Sequence, residues 1–241
     1  MFSIARENQQ LQWDRDFNPE GISISYNNDL SQDWNLRLQA INYQLDTQTS
    51  DATYPTLYGV QAIGIYEKGF HRYSLNAEFL HYVDLISRAV FSTSPGTNSQ
   101  SGNAYLYNYT VSGAGLYYKY TGWRHPVQVY IDYAKNNQVN KNNLATGGGV
   151  IYGSTEKNYD WQVSAVYQEL GKDAVLDMFT HGAFMGGGTD NRGTSFRVDQ
   201  RASKSSVISL IYYDGQRFIA SNDSSPTTAF KMLQLDWMVS Y

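Results

Sequence analysis

The sequence predicts an all-β fold: a transmembrane, antiparallel, up-and-down β-barrel of about twelve strands. Three observations predict it. Apolar and polar residues alternate with a period of two along most of the chain, which is the pattern of strands with one greasy and one wet face. The connections between those stretches alternate between long and short. The chain is rich in aromatic residues yet has no long apolar run.

The composition narrows the choice. Hydrophobic residues make up 41% of the 241 residues, and the mean hydropathy is -0.49. A membrane helix needs about 20 consecutive apolar residues, and none is present. Aromatic residues reach 15%, with 21 Tyr and 20 Gly against 5 Pro. Tyr and Trp rings settle at membrane–water boundaries because one end is apolar and the other wet. The chain has no cysteine, which excludes a disulfide framework and thiolate metal sites and suits an oxidising compartment. A net charge of -4 without a basic run argues against nucleic acid as a partner. Residues 1–6, MFSIAR, lack the apolar core of an export signal. An exported chain would then be a mature form, one given a start Met, or an N-terminally shortened one. Residues 1–241 read as one barrel domain.

Taken in order, the first strand, over 2–13, has the poorest pattern, since Ile4 and Leu11 are out of phase without a bulge. Strands follow at 21–27 (Ile22, Ile24, Tyr26), 34–45 (Leu36, Leu38, Ala40), 57–67 (Tyr58, Val60, Ala62, Tyr66) and 71–83 (Tyr73, Leu75, Ala77, Phe79). A long one covers 104–120 and ends on Leu116, Tyr118 and Tyr120. The stretch 127–134 sets Val127, Val129, Ile131 and Tyr133 against Gln128, Tyr130 and Asp132. Short, Gly-rich 148–154 precedes 161–169, where Trp161, Val163, Ala165 and Tyr167 share a face. Strands over 194–201 and 206–213 lead to the last, where Leu233, Leu235, Trp237, Val239 and Tyr241 oppose Gln234, Asp236 and Ser240.

Reading back from the C-terminus, connections 217–228, 171–192, 135–147, 84–103 and 46–56 are long. Those at 202–205, 155–160, 121–126 and 68–70 are short. Outer-membrane barrels have short periplasmic turns and long extracellular loops, whereas a soluble sandwich has no reason to keep the two in register. The alternation directs the last strand inward. Trp237, Val239 and Tyr241 then form a closing-strand signature at the periplasmic rim, within reach of the barrel assembly machinery.

Lipid demands that every backbone N–H and C=O be paired, so a spanning sheet closes on itself with its apolar residues outward. The inward charged residues are then Arg37, Arg72, Glu78, Lys119, Asp132, Arg197, Asp199, Arg201 and Asp236. Basic and acidic residues are mixed, so no single-sign ring sets a strong ion preference. The expectation is a weakly selective, water-filled path for small hydrophilic solutes. For each residue the alternative is a brace, paired with an opposite charge on a neighbouring strand.

One segment carries a family resemblance. Residues 167–193 read YQELGKDAVLDMFTHGAFMGGGTDNRG. Asp173-Ala-Val-Leu176, Phe184 and the run Gly186-Gly-Gly-Thr189 before Gly193 resemble the C-terminal half of a porin family of Gram-negative bacteria. The resemblance implies an outer-membrane barrel that conducts small solutes by passive diffusion. It also places the chain in the outer membrane, in contact with lipid. Members are often longer, so strand number and pore width stay open.

The segment can also be read physically. Ala174, Val175, Met178 and Phe179 suit one face of a short helix over 173–181, with Asp173, Asp177 and His181 on the other. Asp173 favours the helix start and Gly182 its stop. This helix could fold inward as a constriction or pack on the extracellular rim. With about twelve strands, a plugged structural, adhesive or receptor barrel without open conductance is the rival reading.

Catalysis is not expected. Acyl hydrolysis needs a nucleophile beside a base, but Ser74 falls on the face opposite His81. The remaining histidines, His71, His125 and His181, have no ligand spacing, and no metal or cofactor is implied. A homo-oligomer remains open.

Overall fold

A computed structural model describes residues 11, 20–45, 54–91, 97–218 and 227–239. Thirteen strands and two short 3₁₀ turns make up the described elements. The strands are β1 (Glu20–Asp29), β2 (Trp34–Gln44), β3 (Thr56–Lys68), β4 (His71–Val83), β5 (Gln100–Ser101) and β6 (Ala104–Tyr105). They continue with β7 (Tyr109–Tyr120), β8 (Val127–Asn136), β9 (Leu144–Gly153), β10 (Trp161–Leu170), β11 (Asn191–Ser203), β12 (Ser206–Phe218) and β13 (Thr227–Val239).

Eleven of these form one sheet, in the order β1-β2-β3-β4-β7-β8-β9-β10-β11-β12-β13, each antiparallel to its neighbour. The order is the chain order, so the sheet is a meander. Strands are joined through 30–33, 69–70, 121–126, 154–160 and 204–205 at one end of the sheet, and at the other through 45–55, 84–108, 137–143, 171–190 and 219–226. Each of the second set is longer than any of the first except 137–143, which equals 154–160 at seven residues. Eleven alternating strands leave β1 and β13, the two edges, running the same way. Antiparallel closure between them requires one more strand. The strand expected over 2–13 lies outside the described residues apart from Leu11. That residue is buried, with its side chain 3.0 Å from the place a Cβ would take on Gly147 of β9.

Two sequence expectations need correction. The long strand expected over 104–120 is broken. Asn108 turns its carboxamide oxygen to the backbone N–H groups of Leu85 and Ile86, at 3.0 and 3.2 Å. Ala104 and Tyr105 fold back on Gln100 and Ser101 instead. The helix expected over 173–181 is also absent: those residues hold a single turn at Asp177–Phe179, and a second turn follows at Phe184–Gly186. The reason lies in its two carboxylates, which turn toward a distant part of the chain rather than capping a helix of their own.

The sidedness of the sheet is inverted relative to a water-soluble fold. Ile24, Val60, Leu75, Ile131, Phe196, Leu235 and Trp237 stand exposed, with Ile131 at 64% and Trp237 at 73%. The other face of the sheet carries Gln61, Asn76, Glu78, Asp132, Asp199 and Ser209, all buried. Soluble monomers rarely expose contiguous apolar surface beyond a few hundred Å². Here an apolar face runs across the whole sheet. At its short-turn edge lies a chain of ring contacts: Trp34 with Tyr66, Tyr66 with Tyr73, Tyr73 with Tyr118, and His71 with Tyr120. Tyr120 continues it to Trp123, and His125 meets Trp161 beyond. Such amphipathic rings mark the level at which an apolar surface gives way to water.

Candidate functional site: the buried face and the segment folded onto it

The segment 171–190 lies on the buried face of the sheet and touches strands far apart in the strand order. Phe179 stacks on Tyr82 of β4 with ring centroids 6.0 Å apart. Phe184 meets Tyr213 of β12 edge-on at 6.2 Å. The backbone oxygen of Asp173 accepts from Asn136 of β8 at 2.9 Å, and the Arg217 guanidinium of β12 approaches the Gly187 carbonyl. One apolar cluster joins Ala174, Val175, Leu176 and Phe179 to Tyr43, Leu57, Leu80, Tyr109 and Val111 of the strands. A second holds Phe184 and Met185 against Ile211 and Tyr213. A short segment can meet β4 and β12 together only if the sheet curls around it.

Polar bonds fix the segment in place. Asp173 accepts from the Ser99 backbone N–H at 2.8 Å, the Ser99 hydroxyl at 2.6 Å and the Tyr109 hydroxyl at 2.8 Å. Asp177 accepts from the backbone N–H groups of Thr97 and Asn98, at 2.6 and 3.2 Å. Asn98 completes the lock: its amide donates to the carbonyls of Lys172 and Val175, and its oxygen accepts from the Asp177 N–H at 2.9 Å. Asp173, Asp177 and Asn98 are almost wholly buried. Buried carboxylates persist only when their lone pairs are taken up, and here backbone and hydroxyl donors take them. Asp173 and Asp177 were expected on the wet face of a helix; both point into this lock. His181 lies apart from them, its Nδ1 accepting from the Ala183 N–H at 3.1 Å.

The glycine run follows from the same packing. Gly186, Gly187 and Gly188 all have φ near +80°, a region closed to most side chains. They lead to Asp190, also at positive φ, beside the start of β11. Burial pushes the Asp190 carboxyl above its ordinary range, Lys172 draws it back down, and Asp173 adds to the rise. A carboxyl raised in the folded state opposes folding once ionised, so this penalty disappears as the pH falls through the raised value. Acidification toward the ordinary value of 3.8 should therefore tighten the segment at this point. Comparing thermal midpoints of wild type and Asp190→Asn across that range isolates the effect. The wild type should gain on the variant as the pH falls, and two parallel profiles would contradict the assignment.

The charged residues expected on the inner wall are placed as follows. Glu78 and Asp132 are buried near the middle of β4 and β8. The Gln61 amide donates to Glu78 at 3.3 Å, and the Tyr117 hydroxyl donates to Asp132. Gly115 leaves room for this group, since a Cβ there would collide with the side-chain oxygens of Asp132 and Asn76. Arg197 and Asp199 pair at 2.7 Å, with Ser209 bridging them. Arg72 pairs with Glu67 at 2.6 Å. Asp236 accepts from Gln234 at 2.9 Å, and exposed Arg37 donates to Asn35 at 3.2 Å. Lys119 and Arg201 share a pocket at the short-turn end. Of the closing-strand residues, Trp237 and Val239 lie on the exposed face and Tyr241 lies outside the described residues.

Sequence reasoning missed the partners of the lock. Thr97, Asn98 and Ser99 sit in a polar loop, and only the density of hydroxyls and amides beside a later pair of aspartates could have signalled them. It also expected a polar inner face on nearly every strand. On β2, β3 and β4 that face carries Ile41, Tyr43, Leu57, Ile63, Leu80 and Tyr82, all buried. Several of these meet the apolar side of the infolded segment.

The family model described as Putative porin matches residues 97–238, more than half of the chain. The chain belongs to this porin family. No curated protein matches it. The matched span begins at the lock residue Thr97 and runs through the infolded segment to the last described strand, so both halves of the lock belong to the porin region.

Among the described residues, no cluster of His, Cys, Asp and Glu could hold a metal ion. Ser74 is buried on the inner face of β4, while His81 bonds the Thr110 hydroxyl at 2.8 Å. The two are not brought together.

Proposed function

We propose that this chain is an outer-membrane porin of a Gram-negative bacterium, forming a water-filled and weakly selective channel for passive diffusion of small hydrophilic solutes and ions. The inverted sidedness of the sheet carries the reading. Apolar residues face outward on strand after strand, while carboxylates, amides and guanidinium groups stand on the inner face. Water is the natural solvent for that inner surface and lipid for the outer one. The infolded segment 171–190 narrows the path from the long-loop end. The mixed signs at Arg37, Arg72, Glu78, Lys119, Asp132, Arg197, Asp199, Arg201 and Asp236 keep the selectivity weak.

The surroundings follow from the same reading. The outer face contacts membrane lipid, and the last strand presents Trp237 and Val239, followed by Tyr241, to the assembly machinery. A homo-oligomer would bury part of the apolar exterior.

A plugged barrel with a structural, adhesive or receptor role is the second reading, and the continuous apolar packing of the segment against the inner face favours it. A planar-bilayer recording separates the two. The porin reading expects discrete conductance steps from detergent-refolded protein that shows heat-modifiable gel mobility. A membrane that stays silent with such folded protein would support the plug and overturn the channel.

A further inference from the structure

We infer that the short-turn end of the inner face holds a binding site for a small carboxylate anion, built on Lys119, Gln128 and Arg201. The inference rests on the porin reading for its biological use, but the site itself is argued from geometry. A pocket of about 280 Å³ opens there between β7, β8, β9, β10 and β11. It is slightly smaller than sites for drug-sized ligands, which span about 300–1,000 Å³, and so suits a small ion.

Its charges are not balanced from within. Lys119 on β7 lies directly opposite Arg72 on β4, and like charges facing one another across an antiparallel pair are unfavourable. Glu67 answers Arg72. Among the described residues, Lys119 has neither an ion pair nor a hydrogen bond. Arg201 is held by backbone oxygens, those of Thr155 and Lys204, which fix its direction without neutralising it. Gln128 lies opposite Lys119 on β8, and its amide nitrogen is buried with no acceptor. The acidic residue lining the pocket, Glu156, is exposed on a turn.

The pocket therefore presents an unpaired ammonium, a guanidinium held only by neutral backbone oxygens, and an unused amide donor. A carboxylate supplies two oxygens in one plane, enough to take the ammonium and the amide at once. A dicarboxylate could reach Arg201 as well. In a channel, such a site at the inner mouth raises the local concentration of anions and favours their passage over cations.

The probe is succinate, titrated calorimetrically into detergent-refolded protein, with heat-modifiable mobility as the folding control. Wild type should bind with a dissociation constant on the order of 1 mM. Lys119→Gln should weaken binding at least tenfold while keeping its gel mobility, and Gln128→Leu should weaken it several-fold. No binding by folded wild type, or equal binding by wild type and Lys119→Gln, would overturn the site. Bilayer recordings under a KCl gradient supply the second readout, with anion preference falling in Lys119→Gln. Absence of conductance alongside intact succinate binding would fail the porin reading and leave the site standing.

Discussion

Replacing Asn98 by Ala should release the 171–190 segment from the inner face while leaving the strands paired. Asn98 makes bonds in both directions, giving its amide protons to the carbonyls of Lys172 and Val175 and accepting from the Asp177 N–H. Each buried group left without its partner costs about 1–3 kcal/mol. These groups form one network, so the losses do not simply add, and a total on the order of 3 kcal/mol is expected. The strands have an independent source of stability in their ladders, so the loss should fall on the segment. Two readouts follow. Protease should cut within 171–190 in the variant and spare it in wild type. In bilayers, the variant should show larger or noisier conductance steps. Unchanged cleavage together with unchanged conductance would mean that the lock does not hold the segment.

The contrast between strands and segment also explains what the sequence could reveal. Alternation is a local signal: Leu75, Ala77 and Phe79 identify the outer face of β4 without reference to anything else in the chain. Loop length is local too, and it separates the two ends of the sheet everywhere except at 137–143 and 154–160, which are equal in length. The lock is a different kind of object. Asp173 meets Ser99 across 74 positions and Asp177 meets Asn98 across 79. Nothing near either aspartate announces such a partner. With the helical period visible and the partners invisible, a helix was the natural expectation, and tertiary bonding overrode it. The break at Asn108 was hidden for the same reason, since its acceptors' partners are the N–H groups of Leu85 and Ile86. Among the charged wall residues, sequence placed the side chains on a face but could not distinguish braces from free groups. Arg197 with Asp199 is a brace. Lys119 is free among the described residues, and only the structure separates the two cases.

Ile131→Arg should destabilise the lipid-inserted protein by about 2–4 kcal/mol, the cost of a basic side chain on a lipid face at mid-membrane depth. Ile131 is central on β8 and 64% exposed. In a water-soluble sheet the same exposed substitution would change stability by no more than about 0.5 kcal/mol and would improve solubility. The two environments therefore give opposite expectations from one variant. A second position on the same face supplies the depth control. Leu144 opens β9 at the long-loop end, opposite Lys135 of β8, and is exposed and neutral. Leu144→Arg should cost about 0–1 kcal/mol, as expected where the lipid face meets water. The measurement is a urea titration of protein refolded into phospholipid vesicles, following Trp fluorescence. A large loss at position 131 with little at 144 requires a low-dielectric layer centred on the middle of β8. Equal, small effects at both positions would remove the membrane from the outer face and with it the channel.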